Sequence, residues 1–294
     1  MNYTPLPRVR TKAELRKIVT EWRQSGDRIG FVPTMGAIHS GHLSLVARAL
    51  EECDRVIVSI FVNPKQFAAG EDLDTYPRTE DEDCAKLQAA GCHLAYCPSV
   101  EEMYPVGSAT NVYVEDMSDL LDGGPRPHFF YGVSTVVARL FIHVRPDVAV
   151  FGEKDYQQLQ IIKRMVHDLA FEIDIIGGKI VRDMDGLAKS SRNVYLTAVE
   201  RRQANTLYQA LHRASCRIEA GGEIEKILKE ARAYLRNSGF RKVDYVTTAD
   251  PQNLRALTSK YAESGVEGRI LGAAWIGKTR LIDNIGFCRT HNKG

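Results

Sequence analysis

Pro33-Thr34-Met35-Gly36-Ala37-Ile38-His39-Ser40-Gly41-His42 lies between two stretches of opposite hydrophobic period. Before it, Arg28 to Val32 is a short apolar run of strand character. After it, from about His42, the apolar residues Leu43, Val46, Ala47 and Leu50 recur at the i, i+3, i+4, i+7 spacing of a helix face. A strand that passes through a glycine-bearing turn into a helix opens a βαβ unit. Ligands of open α/β sheets bind at the carboxyl edge, where such turns sit.

The same alternation continues on both sides. Arg55 to Val62 reads as a second strand, nearly all apolar, as expected of a strand covered on both faces. Thr79 and Glu82 form a capping box for a helix running toward Gly91, and His93 to Cys97 is the next strand. Val133, Val136, Val137, Leu140, Phe141 and Val144 trace a helix stopped by Pro146, followed by strand Val148 to Phe151, helix Asp155 to Leu169 and strand Glu172 to Ile176. This predicts an α/β fold with a doubly wound, Rossmann-like parallel sheet.

Beyond residue 182 the pattern changes. Thr197 and Glu200 cap a long helix with Leu207, Ala210, Leu211 and Ala214 inward, ended by Gly221 and Gly222, and a second helix runs from Glu223 to Asn237. Val243 to Thr248, Arg269 to Ile276 and Thr279 to Asp283 read as strands. Helices followed by clustered strands predict a smaller α+β C-terminal domain, 183–294, after a Rossmann-like domain, 1–182.

Composition narrows the class. The 294 residues are 44% hydrophobic and 26% charged, an ordinary globular mixture that excludes disordered and fibrous architectures. Thirty-nine Lys and Arg against 37 Asp and Glu give a net charge of +2, too little for a protein whose task is neutralising nucleic-acid phosphates. No apolar run reaches the length of a membrane span, and Met1 to Arg10 lacks the apolar core of a secretory signal. The six cysteines form no Cys-x-x-Cys pair and are expected to be reduced thiols. The expected setting is cytoplasmic, with no nucleic-acid or membrane partner.

In the turn itself, a helix beginning near Gly41 offers backbone N–H groups and a positive dipole end to an anion, with His39 and His42 as further donors. A structural reading is also open, with Ser40 as N-cap, Gly41 as turn residue and the histidines on the surface. A zinc site lacks a third ligand nearby. Neither Gly-x-x-x-x-Gly-Lys-Ser/Thr nor Gly-x-Gly-x-x-Gly occurs, which argues against P-loop enzymes and dinucleotide dehydrogenases. Asp155 and Gln158 fit a capping box in their own right, and Lys154, between a buried strand and a helix start, is placed to meet phosphate. The acidic run Glu80 to Asp83 suits the first turn of a helix, with water-mediated magnesium binding as the alternative.

His39-Ser40-Gly41-His42 resembles the His-x-Gly-His motif of the nucleotidyltransferase superfamily. Further segments match one family within it, in order and spacing: Val58 to Phe67, Glu71-Asp72-Leu73-Asp74 with Tyr76-Pro77-Arg78, Phe151 to Gln158, Asp185 to Asn193, and Ala273-Ala274-Trp275 with Leu281-Ile282-Asp283-Asn284. These resemble the pantoate-β-alanine ligases, also called pantothenate synthetases, over almost the whole chain. The resemblance implies attack of the (R)-pantoate carboxylate on the α-phosphate of ATP, giving pantoyl adenylate and pyrophosphate, after which β-alanine displaces AMP to form the amide.

By matching position, Met35, Gly36, Ala37, Ile38, His39, Ser40, Gly41 and His42 would line ATP, joined by Gly152, Glu153, Lys154, Asp155, Val181, Lys189, Ser190, Ser191 and Arg192. His42, His39, Lys154 and Arg192 would act in catalysis, and Gln66 and Gln158 would hold pantoate, with Gln66 also near β-alanine. The resemblance further implies Mg2+ on the phosphates with no direct protein ligand assigned, a homodimer, and an ATP site where the domains meet.

Two departures stand out. The family pattern Arg-Pro-Gly-His-Phe is here Arg126-Pro127-His128-Phe129-Phe130, which shifts the histidine by one and removes His128 from the catalytic set. Lys189 replaces a residue usually apolar. The alternatives are a nucleotidyltransferase acting on another small substrate and a catalytically impaired nucleotide-binding relative.

Overall fold

The computed structural model describes residues 5–68, 70–71, 73–259 and 265–289, so Asp72 of the quoted acidic motif and Met1 to Thr4 lie outside the described residues. The chain divides into two compact units, one taking the chain up to Glu153 together with Gln158–Lys179, the other Lys154–Gln157 and everything from Ile180.

The first unit runs β1 (Arg8–Val9), α1 (Lys12–Gln24), β2 (Ile29–Thr34), α2 (Ser40–Leu50), β3 (Arg55–Ile60), α3 (Glu80–Ala89), β4 (Leu94–Tyr96), α4 (Val100–Met103), α5 (Phe129–Val144), β5 (Val148–Gly152), α6 (Tyr156–Asp168, whose first two residues belong to the second unit) and β6 (Asp174–Gly178). Its six strands are ordered β1-β4-β3-β2-β5-β6, and every pairing is parallel. Both faces are covered, which is why the strands are almost wholly apolar. Val32, Val58 and Val150 pack with Leu45, Val46 and Ala49 of α2. Phe31 and Phe151 instead meet Phe141 of α5 edge to face, with centroids 6.4 and 6.2 Å apart.

The chain moves from β2 to β3 on one side, yet β5 pairs with β2 on the other. This reversal creates the crevice at the carboxyl ends of β2 and β5 in which open α/β sheets hold ligands. β6 begins two residues later than its composition suggests. Its ladder with β5 runs from Val148 and Asp174 to Gly152 and Gly178, and α2 lies so close that a Cβ on Gly178 would come within 2.2 Å of Leu45. Tertiary contact makes a strand of a Gly-Gly pair that local propensity reads as a breaker.

The second unit contains α7 (Ala198–Ala204), α8 (Thr206–Glu219), α9 (Ile224–Asn237), β7 (Lys242–Ala249), β8 (Glu267–Ile276) and β9 (Thr279–Cys288). Thr197 and Glu200 make the expected reciprocal cap. The single long helix expected after it is two, parted at Asn205, whose side chain donates to the Asp185 carbonyl at 3.4 Å. β7, β8 and β9 form an antiparallel sheet in that order, and β9 runs five residues beyond Asp283 because β8 pairs with it out to Cys288. Leu207, Leu211, Ile218, Ile227 and Leu235 pack on Ile270, Ala274 and Leu281. Among the described residues, no helix is long and apolar enough to cross a membrane.

Candidate active site

The turn after β2 is built from the strand outward. The Thr34 hydroxyl donates to the Ser59 carbonyl at 2.7 Å and accepts the Gly36 N–H at 3.1 Å. Gly36 and Ala37 then take successive left-handed conformations, with φ +85° and +50°. At Gly36 a Cβ would also meet Asp83 and Ile60 at 3.1 Å, a tight approach, so both conformation and space favour glycine. Ile38, 2% exposed, anchors the turn in the core.

The helix cap differs from the sequence expectation. His39, not Ser40, is the N-cap of α2, and its imidazole Nδ1 accepts the Gly41 N–H at 3.1 Å. The His39 backbone N–H in turn donates to Nδ1 of His42 at 3.4 Å, a capping box made of two imidazoles. A backbone N–H can only donate, so both Nδ1 atoms are acceptors and the proton of each neutral ring sits on Nε2. The rings lie 4.1 Å apart at a 30° tilt, half-buried in the turn after β2 and the first turn of α2.

β3 pairs with β2 to its last residue, Thr34 against Ile60, and so brings a second turn alongside the first. Asn63, fully buried, donates through Nδ2 to Gln66 Oε1 at 2.9 Å and to the Gly132 carbonyl at 3.0 Å. Its Oδ1 accepts from the Tyr104 hydroxyl at 2.8 Å. Asn63 therefore orients the Gln66 carboxamide, a role that the sequence shows only as Asn-Pro after a strand. Gly132 is where α5 crosses this turn: a Cβ there would sit 2.2 Å from the Lys65 carbonyl oxygen.

Arg126 makes a two-pronged pair with Glu71 at 2.8 Å, donates to the Gln66 carbonyl at 3.3 Å and stacks on Phe129 at 3.9 Å. His128, the displaced histidine, is exposed at the start of α5 and makes no side-chain cap.

The acidic run Glu80 to Asp83 forms the first turn of α3, as its composition suggests, but the expected Thr79–Glu82 capping box is not made. Thr79 makes no side-chain cap, and its hydroxyl donates to Asp83 Oδ2 at 3.2 Å. Both Asp83 oxygens take N–H groups of the turn after β2, Ala37 at 2.8 Å and Ile38 at 2.7 Å. Glu80 pairs with Arg10 at 2.6 Å. Among the described residues, no group of three or more His, Cys, Asp or Glu side chains is arranged to hold a metal ion.

β5 ends at Gly152, and a 3-10 turn at Glu153–Asp155 leads into α6 at Tyr156, so the helix begins one residue after Asp155. Gln158 is half-buried in the first turns of that helix.

Within the second unit, Lys154 shares a small cleft with Ser190, Asn193, Tyr208 and Asp283, and its carbonyl accepts from Asn284 Nδ2 at 3.0 Å. Residues 181 to 193 fold back on themselves: Lys189 N–H donates to the Val181 carbonyl at 2.9 Å, and Asn193 Nδ2 to the Ala188 carbonyl at 3.1 Å. Ser190 caps the short turn Ser191–Tyr195 by accepting the Arg192 N–H at 3.3 Å. The Lys189 ammonium is paired with Asp183, which also binds Arg201 at 3.0 Å. That contact explains how a lysine is accommodated where an apolar residue is usual.

A doubly wound parallel sheet with a His-x-Gly-His turn at its switch point defines an α/β nucleotide-binding enzyme of the nucleotidyltransferase kind. The family model for pantoate-beta-alanine ligase matches residues 8–286, and the chain belongs to that family. It is 60% identical over 286 residues to the pantothenate synthetase of Hyphomonas neptunium, covering 97% of this chain and 98% of that protein. The crystal structure of pantothenate synthetase from Thermus thermophilus superposes with a TM-score of 0.88 at 45% identity, over 95% of this chain and 99% of that one. A pantoate-beta-alanine ligase from Francisella tularensis, complexed with beta-gamma ATP and β-alanine, gives a TM-score of 0.78 at 33% identity, over 95% of this chain and 97% of that one.

Proposed function

We propose that this chain joins (R)-pantoate to β-alanine in an ATP-dependent reaction through a pantoyl-adenylate intermediate. The observation that carries the reading is the two-imidazole cap, formed through both Nδ1 atoms at a sheet switch point in a member of the pantoate-beta-alanine ligase family. In the first step a pantoate carboxylate oxygen bonds to the α-phosphorus of ATP and the bond to the bridging oxygen breaks, releasing pyrophosphate. Negative charge accumulates on phosphate oxygens there, and fixed donors lower that barrier without reorganising.

His39 and His42 supply such donors, and Lys154 and Arg192 are the proposed cations. Gln66, held by Asn63, and Gln158 are the proposed pantoate ligands, because a carboxamide NH2 can meet a carboxylate or hydroxyl. In the second step the β-alanine amine attacks the acyl carbonyl; AMP leaves with the bonding pair of the C–O bond and the amine loses a proton.

Met35 to His42, Gly152 to Asp155, Val181 and Lys189 to Arg192 are the proposed ATP-binding residues. For Lys189 the backbone is the proposed contact, since its ammonium is paired with Asp183. Mg2+ is proposed to arrive on the triphosphate, where it neutralises phosphate charge, with few protein ligands. A cytoplasmic homodimer is the proposed form of the enzyme.

The test supplies ATP, Mg2+, pantoate and β-alanine and follows AMP and pyrophosphate. Pantoate-dependent pyrophosphate release, with AMP requiring β-alanine, is the expected result. AMP without β-alanine, or none at all, would overturn it in favour of another transferase or an impaired relative.

A further inference from the structure

Asp83 is wholly buried, yet it lies outside the turn whose chemistry it touches. Its Oδ2 accepts the Ala37 N–H at 2.8 Å and its Oδ1 the Ile38 N–H at 2.7 Å. The start of α3 thus reaches across to the main chain of the turn that precedes the His39 cap. About one helical turn further along α3, Lys86 Nζ donates to the Ile38 carbonyl at 3.1 Å, so both backbone polar groups of Ile38 are tied to the same helix. The turn needs such a tie: Ala37 is a non-glycine residue at φ +50°, a conformation that costs free energy unless its surroundings impose it.

We propose that Asp83 is a positioning residue for adenylation, acting through the backbone of Ala37 and Ile38 to aim the His39–His42 pair. The proposal rests on the function stated above. It removes the Ala37 and Ile38 N–H groups from the set that can bind phosphate, because the carboxyl group has already taken them. Phosphate recognition at this turn then falls to the imidazoles and to the start of α2. It also gives the acidic run a purpose other than metal binding: the oxygens of Asp83 face amide donors, and its third contact is the Thr79 hydroxyl at 3.2 Å.

Asp83→Asn is the sharp variant, since it keeps the shape while turning one acceptor into an NH2 that faces a backbone N–H. Lys86→Met, at an exposed position, is a milder variant should Asp83→Asn fold poorly. Steady-state kinetics are measured for all three substrates at low and high Mg2+, beside thermal unfolding. The expected result is a fall in kcat/KM for ATP of about tenfold to a hundredfold for Asp83→Asn and a smaller fall for Lys86→Met. KM for pantoate and β-alanine should stay within about twofold, and raising Mg2+ should not restore the loss. Unchanged ATP kinetics overturn the proposal, as does rescue by Mg2+, which would make Asp83 a metal ligand. A parallel loss for every substrate together with lowered stability also overturns it, as the mark of a structural role alone. If the wild-type chain releases no pyrophosphate, the proposed function fails by itself, and calorimetric ATP binding by the same variants still decides the role of Asp83.

Discussion

His39 and His42 hold each other in place through the backbone: Nδ1 of His39 receives Gly41 N–H, Nδ1 of His42 receives His39 N–H, and the rings lie 4.1 Å apart. The capping acceptor and the proposed catalytic donor are thus opposite ends of the same imidazole. The two roles can be separated by substitution. His39→Asn supplies another good N-cap acceptor, so the unfolding free energy should move by less than about 1 kcal/mol. Turnover should still fall, because Asn cannot extend an N–H to the position of Nε2. Equal losses of stability and activity would show that His39 only caps.

Replacing His42 by Ala should lower turnover by about two to four orders of magnitude, the range for loss of a donor to developing charge. Pyrophosphate release in the presence of ATP and pantoate is the readout. A loss below tenfold would demote the residue to a capping partner.

Gly132→Ala is expected to reverse the usual sign of a helix substitution. Gly to Ala inside a helix normally gains about 0.5–1 kcal/mol. Here the new Cβ would lie 2.2 Å from the Lys65 oxygen and 2.5 Å from its carbon. A net loss of about 1–3 kcal/mol in urea unfolding is expected, with a raised KM for pantoate as the Gln66 turn is pushed away.

Stability should decline in mild acid through His143. Its ring is 7% exposed, with Nδ1 2.8 Å from the Tyr96 hydroxyl. Burial pushes it from 6.5 down to about 4. Between these values the unfolded chain takes up a proton that the folded chain refuses, so stability present above pH 6.5 is lost as pH falls toward 4. The ceiling on this loss is about 3 kcal/mol at 1.36 kcal/mol per unit. Denaturation midpoints at about pH 7 and pH 5 measure it, and Tyr96→Phe with His143→Leu should flatten that part of the profile.

In the second unit, Arg182 clasps the buried Asp283 at 2.6 and 2.8 Å while stacking on Tyr208 at 4.2 Å. Asp283 also accepts the Asn284 N–H at 2.7 Å, and Asn284 holds the Lys154 carbonyl. Asp283→Ala leaves a cation without its partner and should cost about 3 kcal/mol in urea unfolding. Arg182→Met with Asp283→Ala should recover part of that loss. No loss in the single variant would mean that water replaces the carboxylate.

The strand-turn-helix unit around Met35 to His42, the apolar strands on either side and the Thr197–Glu200 cap were legible because each is a local pattern: a period, a breaker or a capping pair within a few residues. The boundaries that moved did so where a partner intervened. β9 continues through Asn284 and Gly286 because β8 supplies its ladder, and β6 uses Gly177 and Gly178 because β5 pairs with both, with Leu45 of α2 close against Gly178. The displaced histidine was visible as a one-residue shift, and the structure places it exposed at the start of α5.

By itself the sequence determined the α/β class, the place of the His-x-Gly-His turn and, through long motifs in register, the family. These rest on hydrophobic period and residue identity, which need no knowledge of distant neighbours. Only the tertiary structure decided that Nδ1 of both His39 and His42 faces a backbone N–H, that Asn63 orients Gln66, and that Asp83 serves the backbone of a turn 45 residues earlier. Those are matters of which donor faces which acceptor across the fold, and hydrogen-bond direction is set by geometry that no linear spacing contains.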